Sequence, residues 1–263
     1  MSHADRLIRA AGALSRGVEA LHFRAPVTHV YNPLVYAGRA HRRYLRCFGD
    51  GPRRVVFLGM NPGPYGMAQT GVPFGEVAFV RDWLGIREPI EPPARRHPRR
   101  PVEGFGCQRS EVSGARLWGA IARHWGQPER FFRDHFVANY CPLVFMEASG
   151  RNRTPDKLAA DERAALHLLC DAHLRRIVSI LEPEWIVAIG IFAERRAREA
   201  LAGVGPRIGR ILHPSPASPR ANRDWAGIAA DELRALGLCP APVGATRRRA
   251  KRGGRGRGGG GGG

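Results

Sequence analysis

Four short apolar runs, rich in β-branched or aromatic residues, punctuate the chain. Arg53 to Gly59, Phe136 to Phe145, Trp185 to Gly190 and Ile208 to Leu212 each read as a strand, the first and third as buried ones closed by glycine. Elsewhere the period changes to that of a helix. From Thr154 to Leu181, Leu158, Leu166, Leu169, Cys170, Ile177 and Leu181 fall on one face, Thr154 suits the N-cap and Pro155 the first turn, which predicts one long helix. Helix formers follow the third run from Ala193 to Ala202, and Trp225 to Leu236 predicts a closing helix that stops at Gly237. Strands alternating with helices predict an α/β domain, a three-layer sandwich with a central, mostly parallel four-stranded sheet flanked by helices. Pro89 to Pro101, crowded with prolines and arginines, reads as a surface loop.

Composition narrows the setting. At 263 residues and 43% hydrophobic, the chain has material for one sizeable core. Residues 1–240 are therefore expected to form a single domain, and the Arg/Gly-rich residues 241–263, unable to build a core, a disordered tail. The formal net charge of +19 is not the tail's alone: its seven Lys/Arg leave 19 − 7 = +12 on residues 1–240. Such a surface is suited to a polyanion, since neutralising phosphates releases counterions; DNA, RNA and acidic membrane surfaces all fit at this point. No apolar run approaches the roughly 18 residues that span a bilayer, and Met1 to Ala20 lacks the apolar stretch of a signal peptide. A soluble intracellular protein is the expectation. The five cysteines, Cys47, Cys107, Cys141, Cys170 and Cys239, are odd in number, irregularly spaced and without a Cys-x-x-Cys pair, which reads as buried or free thiols, with no metal site expected.

Three stretches stand out because ligands in open α/β sheets sit beyond the carboxyl ends of the strands. The first is Gly59 to Glu76, GMNPGPYGMAQTGVPFGE, whose glycines and prolines fix an unusual backbone and admit a close ligand. The second is Asn139, which interrupts its apolar run with an amide that must be satisfied. The third is His213-Pro214-Ser215-Pro216 at the end of the last run, with the polar loop to Asn222 behind it. Singly, each is more often an ordinary cap or core hydrogen bond than a functional group. Together, an amide, a π-face and an imidazole at strand ends suit a planar heterocycle read by its edge.

These stretches closely resemble the single-strand-selective monofunctional uracil-DNA glycosylases, and the resemblance extends to VYNPLVYA from Val30, VRDWLGI from Val80, SEVSGAR from Ser110 and SGRN from Ser149, so it spans roughly residues 26 to 238. It implies the fold of uracil-DNA glycosylases and a set of roles. Asn61 would orient the attacking water and His213 would stabilise the departing base. Asn139 would read the base's edge and Phe74 would stack on it, while Met60, Gly63 and Met67 would shape the pocket. Pro214, Ser215, Pro216, Ala217, Ser218, Pro219, Arg220, Asn222 and Arg223 would enter the DNA and hold the gap left by the flipped nucleotide. Ala217 stands where some members carry an arginine.

The expected activity is removal of uracil and related modified bases from single- or double-stranded DNA in base-excision repair, by a monomer that needs no cofactor and no membrane. The expected compartment is the cytoplasm and nucleoid of a bacterium or the nucleus of a eukaryote. Strand cleavage through a Schiff base needs an amine, and forty of the forty-two basic residues are arginine, with only Lys157 and Lys251 as lysines. A simple hydrolase is the consistent reading. The competing readings are a metal-dependent nuclease, which would need clustered carboxylates or histidines, and a nucleic-acid-binding protein without a catalytic pocket.

Overall fold

The structure, a computed structural model, describes residues 1–203 and 205–238. Cys239 and the segment 241–263, for which the composition predicts disorder, lie outside the described residues. In chain order the elements are α1 (His3–Glu19), β1 (Val27–Tyr31), α2 (Pro33–Tyr36), α3 (Gly38–Phe48), β2 (Val55–Gly59), α4 (Met67–Thr70), α5 (Val112–Trp125), α6 (Pro128–Phe132), β3 (His135–Asn139), β4 (Val144–Glu147), β5 (Asn152–Arg153), α7 (Ala160–Leu181), β6 (Trp185–Ile189), α8 (Ile191–Ala200), β7 (Arg207–Ile211) and α9 (Pro219–Ala235).

Four strands form a wholly parallel sheet in the order β3-β2-β6-β7. Every residue of β2 is buried, as expected of a central parallel strand covered on both faces. On one face lie α1, α3 and α7: the Tyr44 hydroxyl donates to the Val137 carbonyl at 2.8 Å and its ring meets Phe136 at 5.3 Å. On the other lie α5, α6 and α9, where Phe57 stacks on Phe131 and the Trp225 indole donates to the Leu212 carbonyl at 2.7 Å. The three-layer α/β architecture read from the sequence is the architecture observed. A smaller antiparallel sheet, β1-β4-β5, packs beside it and has no counterpart in the sequence reading.

Three boundaries differ from the expectation. The run from Phe136 to Phe145 is two strands in two sheets. β3 ends at Asn139; Tyr140 and Cys141 still donate their N–H groups to the Gly59 and Met60 carbonyls, but Pro142 has none to give, and Val144 then pairs with Tyr31. Asn139 therefore ends a strand instead of interrupting one. The long helix starts at Ala160, not Thr154: Pro155–Lys157 form a separate 3-10 turn, and buried Leu158 is extended at ψ 159. The Glu162 carboxylate accepts from the Ala159 N–H at 3.3 Å and fixes the later start. Finally, the stretch read as loop up to Asn222 turns helical at Pro219, capped by Ser218, whose hydroxyl accepts from the Ala221 N–H. A kink at Asp224 separates this turn from the expected closing helix. The 89–101 segment is largely exposed as predicted, except Pro93 and His97, which are buried, the latter with Nε2 on the Glu147 carbonyl at 2.9 Å.

Candidate active site

The carboxyl ends of β2, β3 and β7 open onto one cleft of about 390 Å³. Its walls carry Met60, Asn61, Gly63, Met67, Phe74, Asn139, His213, Ser215 and Pro216. The fold thus gathers groups from three separate stretches of chain, as a parallel sheet does with the loops at one end of its strands.

Gly59 explains why β2 ends in glycine. A Cβ there would lie 2.5 Å from both Asn139 Oδ1 and Phe74 Cε2, so only a bare Cα lets the amide and the ring close in. Phe74 has a φ of 54, a left-handed conformation unusual for an aromatic residue and a form of strain concentrated at functional sites. Its carbonyl accepts from the Glu76 N–H at 2.7 Å and abuts Gly114, where a side chain would collide with it. The ring lies 6.3 Å from that of His213.

The Asn61 amide donates to the Leu143 carbonyl at 3.0 Å, which fixes its rotamer and leaves Oδ1 as an acceptor on the cleft. Asn139 Nδ2 donates to Met67 Sδ at 3.4 Å, while Asn139 Oδ1 is buried without a partner among the described residues. Such an orphan acceptor costs free energy unless a ligand supplies a donor. His213 packs against the Cα of Gly190, whose φ of 93 only glycine adopts readily. Burial lowers the His213 pKa, so the imidazole is neutral at neutral pH.

Glu111, Ser113, Asn152 and Thr154, which share the cleft, are not expected in the site from the sequence, which reads Thr154 only as a helix N-cap. Glu111 is the most unusual of these. It precedes α5, its carboxylate accepts from the Tyr65 N–H at 3.4 Å and fills the space above Gly63, and burial raises its pKa to about 7. Glu111 and Asn152 stand in the SEVSGAR and SGRN stretches, so the sequence marked the neighbourhood without singling out the side chains.

Of the residues expected on DNA, only Ser215 and Pro216 line the cleft. Pro214 is buried, and Ala217, Ser218, Pro219, Arg220, Asn222 and Arg223 extend beyond the rim as one continuous lip. Arg116 of α5 braces it, donating to the Pro214 carbonyl at 3.1 Å and to Asn222 Oδ1 at 2.9 Å. Asn222 in turn donates to the Pro216 carbonyl at 2.9 Å. Among the described residues, no three His, Cys, Asp or Glu side chains group as a metal site would, and no helix is long and apolar enough to cross a membrane.

The family model of the uracil DNA glycosylase superfamily matches residues 48–234, which include every cleft residue named above. The chain belongs to the uracil DNA glycosylase superfamily. Within that superfamily it is 51% identical over 229 residues to the mouse single-strand selective monofunctional uracil DNA glycosylase, covering 86% of this chain and 82% of the relative. The protein of the same name from Bos taurus is 52% identical over 222 residues, with 84% and 82% covered. A solved structure, that of wild-type Pedobacter heparinus SMUG2, superposes with a TM-score of 0.67 over 90% of this chain and 97% of the other at 18% identity, a likeness of fold. The resemblance read from the motifs is thus a family relationship across most of the chain.

Proposed function

We propose that the protein excises uracil from DNA as a monofunctional glycosylase, hydrolysing the N-glycosidic bond and leaving an abasic site. One observation carries this reading: Asn61, Phe74, Asn139 and His213 share a single cleft, in a chain similar over most of its length to proteins named uracil DNA glycosylases.

A base inside a duplex is out of reach, so the nucleotide must be extruded, at a cost of a few kcal/mol that is smallest in single strands. Phe74 offers the ring on which the base stacks. The unpartnered acceptor of Asn139 matches the N3 hydrogen of uracil. As the bond from C1′ to N1 breaks, the electron pair leaves with the base, charge gathers on its carbonyl oxygens, and the sugar becomes cationic. A neutral His213 donating to the base stabilises that anion more than the ground state, which is what accelerates the step. Asn61 Oδ1 accepts a hydrogen bond from water and aims its oxygen at C1′; a weak nucleophile suffices against an almost fully formed cation. One water hydrogen stays on the new C1′ hydroxyl and the other leaves as a proton to the departing base or to solvent, completing the hydrolysis.

The absence of strand cleavage in this proposal rests on the lysines. Lys157 is exposed on the 3-10 turn outside the cleft lining, and Lys251 lies outside the described residues. We further propose that single strands are the better substrate, that the 214–223 lip fills the gap in duplexes, that one chain suffices because it supplies every group, and that the protein works in the compartment holding its DNA. Free uracil released from a single-stranded oligonucleotide tests the whole reading, and a wild-type protein that releases none refutes it. His213→Leu should slow single-turnover release by about a hundredfold or more, the scale of a lost oxyanion donor. A rate within about threefold of wild type would remove His213 from that role.

A further inference from the structure

The cleft has a second stretch of rim at Tyr65 of the glycine-rich loop, whose neighbours Pro64 and Gly66 line it. The Tyr65 ring carries two guanidinium groups, Arg109 at 4.4 Å and Arg100 at 5.3 Å from its centroid. Arg100 is fixed further by its Nε, which donates to the Gly150 carbonyl at 2.7 Å, and by its contact with the Tyr65 hydroxyl. Gly150 is followed by exposed Arg151 and by Asn152, which lines the cleft together with Pro64 and Glu111.

What marks Arg100 and Arg109 is that both are held on one aromatic ring at the rim of the cleft. Some arginines are instead held by carboxylates, among them Arg195, Arg198 and Arg210 with the glutamates of α8, Arg153 with Glu147 and Arg24 with Asp161. Among the described residues, Arg100, Arg109 and Arg151 have no carboxylate within ion-pairing distance. The Tyr65 face orders both Arg100 and Arg109, and the Gly150 carbonyl holds Arg100 as well, so their geometry is set while their charge stays uncancelled. Ordering a guanidinium in advance lowers the entropy lost when it meets an anion.

We propose that Arg100, Arg109 and Arg151 form a phosphate clamp that grips the backbone of the DNA strand flanking the extruded nucleotide, at the rim marked by Pro64, Gly66 and Asn152. This rests on the glycosylase reading above. The 214–223 lip and the clamp then divide the work: one occupies the gap in the base stack, the other fixes the strand's phosphates. The clamp contacts no base, so it serves single strands as well as duplexes.

The test measures affinity for single-stranded oligonucleotides carrying a non-cleavable uracil analogue, across a range of salt concentrations. Arg109→Ala, an exposed position, should weaken binding about tenfold at low salt and reduce the salt slope by about 0.7, the value for one lost phosphate contact on a single strand. Arg109→Ala combined with Arg151→Ala should roughly double the slope change. Arg195→Ala, already paired on α8, is the control and should alter neither. With oligonucleotides truncated on one side of the analogue, the variants' defect should vanish for the truncation that removes the clamped phosphates. An unchanged salt slope in the double variant, or a defect equal to that of Arg195→Ala, overturns the clamp. Uracil release by the wild type is scored separately, so failure of the clamp and failure of the glycosylase reading give different results.

Discussion

The carboxamide of Asn139 can accept the N3 hydrogen of uracil while donating to O4, whereas cytosine presents a bare N3 and an amino group. Its present donor contact, the Met67 thioether at 3.4 Å, is a weak acceptor that a base carbonyl would displace. Asn139→Asp substitutes an acceptor for the donor, a buried mismatch of about 1 to 3 kcal/mol, so uracil excision should fall about tenfold or more. Base release from matched uracil and cytosine single strands, beside a melting curve, checks this. Wild-type uracil activity in a folded variant would make Asn139 an ordinary strand-end asparagine. Glu111 makes a claim of opposite kind. Its folded pKa, raised to about 7, lies above its unfolded value, so the native state holds the extra proton and stability is lost as pH rises from about 4.5 to about 7. Glu111→Gln removes that loss. The variant should gain stability relative to wild type between pH 5 and pH 8, by up to about 3 kcal/mol from two and a half pKa units. Melting curves at the two pH values decide it, and an unchanged gap between the proteins would mean that the carboxyl ionises normally.

Among the elements, α5 links the two sides of the site: Glu111 precedes it, Gly114 admits the Phe74 carbonyl, and Arg116 braces the 214–223 lip. Arg116, which does not itself line the cleft, gives three hydrogen bonds to that lip, to the Pro214 and Ser215 carbonyls and to Asn222, and Arg116→Ala removes them. Uracil excision from duplexes should drop about tenfold while excision from single strands drops less, if the lip fills the gap in a duplex as proposed above. Equal losses on both substrates would count against the brace. This helix was also among the least legible elements, since Gly114 and Gly119 lower its helix propensity for the sake of packing. By contrast, β2 and β6 were plain in the sequence because burial on both faces requires unbroken apolar runs. The small sheet was not, because β1 is only half-buried along its middle, β5 has just two residues, and their pairing through β4 joins distant parts of the chain. The site followed the same divide: Asn61, Asn139 and His213 announced themselves as polar residues ending apolar runs, whereas Glu111 became a cleft residue only through the approach of α5 to the glycine-rich loop.

For the molecule as a whole, burial of histidine sets the acid limit of stability. Burial lowers His41 and His173 to about 4, and His167 reaches a similar value with help from the Arg196 charge. In the unfolded chain these groups take up protons near pH 6.5, so between about 6.5 and 4 the unfolded state binds more protons and stability falls as pH falls. The melting temperature should drop by about 5 °C or more across that window, and a flat profile would show that the histidines titrate as if exposed. The order of strands across the sheet bears on the protein's life before it ever meets DNA. His213 follows β7, the last strand to leave the ribosome and an edge strand that can dock only on a finished β6. On the role proposed for His213, a chain folded only as far as β6 would carry Asn61, Phe74 and Asn139 and still lack its donor to the departing base, so excision could begin only once β7 has joined the sheet.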